Sequence, residues 1–333
     1  MKKTIYIIGV GGRTGVMFAR ELRDVAEIVG VGMGREIDAI GRQEIEVKRG
    51  AGGSEKFSVS AILPENFNAN LKNYYPDFIW MAVRNPVSEA VEFYYRNFKG
   101  KEKLPALVFS QNGLSVVGDA KAGLVRALGQ EAGKVRIIRV SLINGVDMAT
   151  NDGIATIAYK IPIKLGFGAA DGQSVADLKE IFNAGKFKCQ EFQGKDVLKM
   201  ENSKLFTNLI GMAAAADGLS VSAGLLDKKV FAKEAAMLKE FILAARASGS
   251  GFVDNLAGYP INFLAQLFLL PAEWLAPFRG IFERIVAKGR NRPKDLSEID
   301  YYNGEVVKLG KRFGVATPVN EGIVAKAKKL NSK

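Results

Sequence analysis

The sequence contains no histidine and a single cysteine, Cys189, among 333 residues. Without histidine the chain can hold no Ser-His-Asp triad, no histidine general base and no histidine-ligated zinc. One cysteine excludes an internal disulfide and a cysteine metal cluster, and it is typical of proteins in a reducing cytoplasm. We therefore expect a cytoplasmic protein without a metal site, whose acid–base chemistry uses Lys, Asp, Glu, Tyr or Cys189.

Long hydrophobic runs are also missing. The most apolar stretch, residues 261–278, is interrupted by Pro271 and Glu273 and does not reach the roughly twenty residues of a membrane helix. It predicts a buried helical hairpin or a contact between subunits, and no membrane span. The N-terminal run MKKTIYIIGV leads directly into a glycine loop, so it predicts a first strand rather than a signal peptide.

Positive charge is in excess, with 47 Lys and Arg against 35 Asp and Glu and a net charge of +12. The basic residues are spread along the chain. The two densest basic segments, residues 284–294 and 325–333, lack the interleaved aromatic residues on which nucleic-acid bases stack. We expect no nucleic-acid partner, and a basic surface that attracts an anionic cofactor and a carboxylate substrate.

A glycine loop, GVGGRTG, lies between an apolar run and a helix-like stretch near the N-terminus. Its spacing differs from G-x-G-x-x-G because Thr14 stands where the third glycine would fall and Gly15 comes one residue later. The order strand, glycine loop, helix still predicts a Rossmann-type unit that places a pyrophosphate at a helix N-terminus. The predicted cofactor-binding residues of the loop are Gly9, Gly11, Gly12, Arg13, Thr14 and Gly15.

The end of the second predicted strand bears on the identity of the nucleotide. Arg35 comes first there and Glu36 second. A guanidinium suits the 2′-phosphate of NADP, so the sequence favours NADP(H) over NAD. Arg84 and Asn112 follow the next two predicted strands, where a parallel sheet presents its ligand-facing loops, and we expect them to contact phosphate and nicotinamide ribose.

The character of the sequence changes near Val197. Before it, apolar runs alternate with helix-like segments, and after it residues 198–216, 229–248 and 298–313 show helical periodicity. A chain of this length also exceeds the usual size of a single core. We therefore predict an α/β protein with a Rossmann-type parallel-sheet domain in residues 1–195 and an all-helical domain in residues 196–333, which binds substrate and forms a dimer.

Five segments together resemble the ketopantoate reductase (2-dehydropantoate 2-reductase) family over nearly the whole chain. They are the glycine loop with Arg35, the AVR that ends at Arg84, SQNGL around Asn112, NSKLFTN at residues 202–208, and SEIDYYNGEVVKLGKRFGVATPVN at residues 297–320. The resemblance implies NADPH-dependent reduction of a 2-oxo acid, ketopantoate or a related ketone, to the 2-hydroxy acid. It also implies a place in pantothenate biosynthesis.

The resemblance further implies roles for three residues. Lys204 would protonate the substrate ketone, Asn208 would help to hold the substrate, and Glu298 would orient the substrate hydroxyl as part of the catalytic site. Lys204 and Asn208 are four residues apart and so share one face of a helix, which agrees with a common ligand.

The chain departs from the family pattern at two substrate-side positions. Met212 stands where a second asparagine is expected, and VAKGRNRPKDL from Val286 replaces a segment that usually carries a serine, a methionine and an aspartate. We therefore expect Met212 and the basic Arg290 or Arg292 near the substrate, and a 2-oxo acid with a more apolar end. The alternatives are an opine or 3-hydroxyacid dehydrogenase, and a non-catalytic NADP(H) sensor.

Overall fold

The computed structural model describes residues 2–50, 52–151, 154–169, 171–287 and 290–332. Lys288 and Gly289, in the segment that departs from the family pattern, lie outside the described residues. The chain forms two compact units. The first unit comprises Met1–Gln111 and Val116–Val197, and the second comprises Asn112–Ser115 and Leu198–Lys333.

The strands of the described residues all belong to the first unit. They are β1 Thr4–Ile8, β2 Glu27–Val31, β3 Ile45–Arg49, β4 Ser54–Lys56, β5 Ala61–Ile62, β6 Phe78–Met81, β7 Ala106–Phe109, β8 Ile137–Leu142, β9 Val146–Asn151, β10 Ile154–Tyr159, β11 Ile163–Ala169 and β12 Phe187–Glu191.

Two sheets result from these strands. The larger has eight strands in the order β12-β11-β8-β7-β6-β1-β2-β5, and every neighbouring pair in it is parallel except β11 with β8. The smaller has four strands in the order β4-β3-β10-β9. A mostly parallel sheet that begins with the glycine-loop strand confirms the predicted Rossmann-type fold class.

The described residues of the first unit form six α-helices. They are α1 Arg13–Leu22, α2 Gly34–Gly41, α3 Phe67–Asn70, α4 Ser88–Tyr95, α5 Val116–Leu128 and α6 Ala176–Ala184. Because the central strands are covered by other elements, their residues are nearly all apolar and buried. Phe18 of α1 packs against Trp80 of β6 with 4.2 Å between ring centroids, which fixes α1 against the sheet.

The second unit is helical. Its helices are α7 Lys195–Leu209, which begins in the first unit, α8 Met212–Ala216, α9 Val221–Leu226, α10 Lys228–Ala247, α11 Ile261–Leu267, α12 Ala272–Leu275, α13 Arg279–Phe282, α14 Asn303–Phe313 and α15 Pro318–Asn331. Among its described residues the β structure is limited to one bridge between Leu256 and Tyr259. The prediction of a helical C-terminal region is confirmed.

The apolar stretch 261–278 does not form a buried hairpin. Its helices α11 and α12 are short, and the side chains of Phe263, Trp274 and Phe278 are 61%, 66% and 54% exposed. Of the two predicted alternatives, the buried hairpin is wrong, because Phe263 before Pro271 and Trp274 and Phe278 after it face outward. The contact between subunits stays a prediction. No single helix of the described chain has the length and apolarity to cross a membrane. Ile261–Leu267 and Ala272–Val286, with a bend of 115° between them, have these properties only when counted together.

Candidate active site

The glycine loop joins β1 to α1 through two close approaches of the backbone. Gly9 has φ +85°, in the region that favours glycine, and its N–H donates to the carbonyl of Val31 at 2.8 Å. Gly15 lies inside α1 against the loop, where a Cβ would overlap the carbonyl oxygen of Gly9. The glycine at position 15 thus lets the helix pack directly on the loop.

The first turn of α1 is open to an anion. Helix α1 begins at Arg13, its N-cap residue Gly12 is extended, and no side chain in the described part of the protein caps it. The first N–H groups of a helix have no partner within the helix, and they carry its positive dipole end. Arg13 is exposed and Thr14 is partly buried beside them. These groups fit the pyrophosphate of a dinucleotide cofactor.

The residues after β2 point in different directions. Arg35 lies exposed in the first turn of α2, whereas the carboxylate of Glu36 accepts the N–H of Met33 at 2.9 Å. A Cβ on Gly11 would lie 2.5 Å from the Cβ of Glu36, so this side chain packs over the glycine loop. Burial, together with the nearby charge of Glu36, raises the pKa of the Tyr94 phenol to about 12. The acidic side chain of Glu36 therefore lies against the glycine loop.

An open depression of about 530 Å³ lies beside the carboxyl ends of β1 and β6. Its lining combines apolar and aromatic residues with three charged ones: Ile8, Pro64, Val83, Ala90, Phe93 and Tyr94, and Glu89, Glu92 and Arg96. The aromatic part offers a surface to a flat ring system. Arg84 follows Val83 and is exposed.

Gln111 fixes the carboxyl ends of two strands and was not predicted from the sequence. Its side-chain amide donates to the carbonyls of Met81 at 2.9 Å and Val83 at 2.8 Å. Arg139 in turn donates to the carbonyl of Gln111 at 3.0 Å. In the sequence, the position of Gln111 just after an apolar strand could have identified it as a residue of this site.

Helix α7 is anchored through the two residues before Lys204. The amide of Asn202 donates to Ser250 Oγ at 2.7 Å and to the carbonyl of Gly251 at 2.9 Å. The hydroxyl of Ser203 accepts the N–H of Val253 at 3.0 Å. The first residues of the NSKLFTN segment therefore hold the helix and fix the position of Lys204.

Lys204 is partly buried, and its amine forms no hydrogen bond with the residues that the structure describes. Burial lowers the pKa of this amine to about 8, and the charge of Arg290 contributes to the shift. Removal from water disfavours an ammonium, and a second cation nearby adds to the effect. Lys204 can therefore hold a proton at neutral pH and release it readily, as a general acid requires.

A chain of hydrogen bonds joins three of the predicted residues within the second unit. The amide of Asn208 donates to Asn112 Oδ1 at 2.8 Å, and the amide of Asn112 donates to the Tyr302 hydroxyl at 2.8 Å. That hydroxyl donates to Glu298 Oε2 at 3.4 Å. Asn112, Asn208 and Glu298 thus come together from three separate segments, and Tyr302, which was not predicted, links them.

The break between α7 and α8 is held by two charged side chains. Gly211 has φ +92°, and the buried carboxylate of Glu234 accepts its N–H and that of Ala213. On the other side of the break, Lys294 Nζ donates to the carbonyl of Asn208 at 2.6 Å. Each charge has the sign that its helix end favours: a carboxylate at the amide end of α8 and an ammonium at the carbonyl end of α7.

Burial shifts the pKa of both groups at this break. It raises the pKa of Glu234 to about 7 and lowers the pKa of Lys294 to about 7. Two further residues were expected near the substrate: Met212 is fully buried at the start of α8, and Arg290 is exposed. In the described part of the chain no group of three or more acidic or cysteine side chains could hold a metal ion.

Comparison with known proteins finds a family model that matches one segment of the chain. Residues 291–331 match the model of the ketopantoate reductase PanE/ApbA C-terminal domain. No curated protein sequence matches the chain.

Solved structures extend the similarity to the whole fold. A PanE/ApbA family ketopantoate reductase from Ralstonia eutropha JMP134 is 18% identical with a TM-score of 0.74, covering 99% of this chain and 98% of that one. A probable 2-dehydropantoate 2-reductase from Bacillus subtilis is 18% identical with a TM-score of 0.66, covering 98% and 99%. D-mandelate dehydrogenase in a ternary structure with NADH and anilino(oxo)acetate is 15% identical with a TM-score of 0.70, covering 98% and 99%.

The chain is thus similar to the ketopantoate reductases in sequence over residues 291–331 and in fold over nearly its whole length, which confirms the resemblance to that family seen in its sequence.

Proposed function

We propose that this protein reduces a 2-oxo acid, ketopantoate or a related ketone, to the 2-hydroxy acid with NADPH, and that Lys204 donates the proton. The observation that carries the proposal is the partly buried Lys204, whose amine has a lowered pKa one helical turn from the hydrogen-bonded pair Asn208 and Asn112. Among NADPH-dependent reductases of this family, the substrate ketopantoate would place the protein in pantothenate biosynthesis.

A bound nicotinamide would supply the hydride for this reaction. The chain itself makes three contributions, through Lys204, Asn208 and Glu298. As negative charge develops on the ketone oxygen, the ammonium of Lys204 stabilises it and transfers its proton. Asn208 positions the substrate and Glu298 accepts a hydrogen bond from its hydroxyl, while Tyr302 holds Glu298 in place. The ketone and the hydroxyl of the substrate are then oriented before the proton moves.

For the cofactor, we propose that the loop from Gly9 to Gly15 binds the pyrophosphate and that Arg35 binds the 2′-phosphate. Arg84 would add a phosphate contact and Asn112 a contact to the nicotinamide ribose. The guanidinium of Arg35 is exposed. The neighbouring carboxylate of Glu36 accepts the N–H of Met33, so Arg35 stays available to a phosphate. The chain would thus use NADPH in preference to NADH.

Glu36 favours a second candidate function. Its side chain packs over Gly11, where an acidic group suits the two hydroxyls of an NAD ribose. This arrangement, with the similarity to D-mandelate dehydrogenase, supports an NADH-dependent dehydrogenase of 2-hydroxy acids.

The test is oxidation of NADPH and NADH by the purified protein with a panel of 2-oxo acids that includes ketopantoate and an aryl 2-oxo acid. We expect turnover with NADPH in the wild type and its loss in Lys204→Ala. Turnover with NADH on the aryl acid would favour the second candidate. Turnover on 3-hydroxy or amine substrates would favour the other dehydrogenase classes, and cofactor binding without any turnover would favour a sensor.

We further propose a cytoplasmic homodimer that contacts its second copy through the exposed apolar side chains of the segment 261–286. Phe263, Trp274, Phe278 and Ile285 are each more than half exposed on this segment. A ketopantoate reductase from Staphylococcus aureus with this fold is dimeric. Light scattering should give a dimer mass that Trp274→Glu reduces to a monomer mass; an unchanged dimer would exclude this surface.

A further inference from the structure

Lys294 reaches the candidate site from the segment in which the chain departs from the family pattern. Its side chain is partly buried, and its Nζ lies 2.6 Å from the carbonyl oxygen of Asn208. Asn208 is one turn after Lys204 on α7, about 6 Å along the helix at 1.5 Å per residue. The amine of Lys294 is therefore at the same end of α7 as the proposed proton donor.

The hydrogen bonds of Lys294 leave room for a ligand. An ammonium has three donors. Within the described residues, the carbonyl of Asn208 is the only group that accepts a hydrogen bond from this amine. Glu234 is the carboxylate whose charge acts on Lys294, but its oxygens accept the N–H groups of Gly211 and Ala213 and, among the described residues, no hydrogen bond joins it to Lys294. Two donors of Lys294 thus remain for an acceptor from outside the chain.

The charges around Lys294 are unbalanced in favour of an anion. The groups whose charges act on it are Arg290 on its own segment, Lys204 on α7 and Glu234 on α10. Three basic side chains, Lys294 among them, therefore share this region with one buried carboxyl group. Burial and the two neighbouring cations lower the pKa of Lys294, and a bound carboxylate would favour its charged form again.

We propose that Lys294 binds the carboxylate of the 2-oxo acid and so determines the specificity of the site for an acid over a neutral ketone. In a 2-oxo acid the carboxylate and the ketone are on adjacent carbons. The backbone of Lys204 and the Asn208 carbonyl that Lys294 contacts are one helical turn apart on α7. The two flexible lysine side chains can therefore reach both groups. The inference rests on the proposed function, and it assigns the substrate carboxylate to a residue that the family resemblance did not indicate.

The test compares a carboxylate ligand with its neutral analogue. Oxamate and oxamide differ by one charge, and neither is reduced. We would measure their binding to the NADPH-loaded protein by titration calorimetry for the wild type, Lys294→Met, Lys294→Arg and the control Lys311→Met. Lys311 lies exposed on α14.

We expect the wild type to bind oxamate at least about tenfold more tightly than oxamide, as a charge-assisted hydrogen bond implies. Lys294→Met should lose most of this ratio, whereas Lys294→Arg and Lys311→Met should keep it. A wild type that does not distinguish the two ligands would overturn the proposal, as would an unchanged ratio in Lys294→Met. Thermal melting of each variant establishes that it is folded.

Steady-state kinetics separate this inference from the proposed function. Lys294→Met should raise KM for the 2-oxo acid at least about tenfold and change kcat much less, because binding rather than proton transfer is affected. If the wild type reduces 2-oxo acids and KM is unchanged in Lys294→Met, the inference fails and the proposed function stands. If the wild type reduces no ketone but binds oxamate through Lys294, the proposed function fails and the anion site stands.

Discussion

The side-chain amide of Asn208 donates a 2.8 Å hydrogen bond to the amide oxygen of Asn112, which lies 96 residues earlier in the chain. An amide held in this way presents a fixed orientation to a ligand. We expect Asn112→Ala and Asn208→Ala each to lower kcat/KM by about tenfold or more. Because the two residues act as a pair, the double variant should lose less than the sum, with a coupling of about 1 kcal/mol. Strictly additive losses in a double-mutant cycle would contradict a joint role.

The alkaline limb of the pH profile should depend on Arg290. Lys204 must be protonated to donate, so kcat/KM should fall as the pH rises through the pKa of Lys204, near 8. The charge of Arg290 contributes to lowering that pKa, and Arg290→Gln should therefore move the limb to higher pH. Arg292→Gln is the matched control, since Arg292 is exposed two residues later and does not act on Lys204. An equal shift in both variants would mean that only the general surface charge matters.

Lys204→Met should stabilise the protein while it abolishes turnover. The pKa of Lys204 is lowered from 10.5 to about 8, so the folded state binds this proton more weakly than the unfolded state. The charged form of Lys204 lowers the free energy of unfolding. This destabilisation is fully present below pH 8 and disappears as the pH rises to 10.5 and above. At pH 7 we expect a gain in unfolding free energy on the order of 1 kcal/mol, and a smaller gain at pH 10. Lys195→Met, at an exposed position of the same helix, should change little; a less stable Lys204→Met at pH 7 would contradict the prediction.

Gly15→Ala should disturb the glycine loop. Its new Cβ would overlap the carbonyl oxygen of Gly9, so helix and loop must separate. Overpacking of this kind typically costs about 1–3 kcal/mol, and we expect NADPH binding, followed by its fluorescence, to weaken strongly. Gly34→Ala is the control, because nothing lies within 4 Å of a Cβ there. Wild-type affinity in Gly15→Ala would show that the loop tolerates the separation.

Arg35 and Glu36 should have opposite effects on cofactor preference. Arg35→Ala should reduce the preference for NADPH over NADH by about tenfold, the value of one lost charge-assisted contact. Glu36→Gln should strengthen NADPH binding, because it removes a carboxylate that packs over Gly11. Weaker NADH binding in Glu36→Gln, in a wild type that prefers NADH, would instead assign Glu36 to the ribose hydroxyls.

Local sequence patterns predicted the parts of the fold that are determined by residues close together in the sequence. The glycine loop, the Rossmann-type sheet and the helical C-terminal region follow from apolar periodicity and from glycine at close approaches. The smaller sheet did not, because its parallel pairing of Ala155 with Ile45 joins segments far apart in sequence and leaves no local signal. The direction of Glu36 was also missed, since it depends on the start of α2 and on the N–H of Met33.

The site shows the same division. Lys204, Asn208 and Glu298 were identified through family resemblance, and their roles stay predictions. Lys294 was passed over because its contact with Asn208 crosses 86 residues and its segment has no regular pattern. Tyr302 lay within the recognised DYYNG stretch, but the bond of its hydroxyl to Asn112 is visible only in three dimensions.

Residues 112–115 have a consequence for any attempt to divide this protein. Ser115 donates to Glu305 of α14 through its N–H at 3.1 Å and its hydroxyl at 2.7 Å, and Glu305 is only 4% exposed. A fragment that begins after Val197 would lose both donors of Ser115, so that Lys308, at 3.0 Å from Glu305 Oε1, would be left as the partner of this buried carboxylate. Removing hydrogen-bond donors from a buried carboxylate is destabilising. Chimeras that exchange everything after residue 197 between relatives would likewise pair Asn208 of one parent with residue 112 of the other. A fragment or chimera of the C-terminal part must therefore also include residues 112–115.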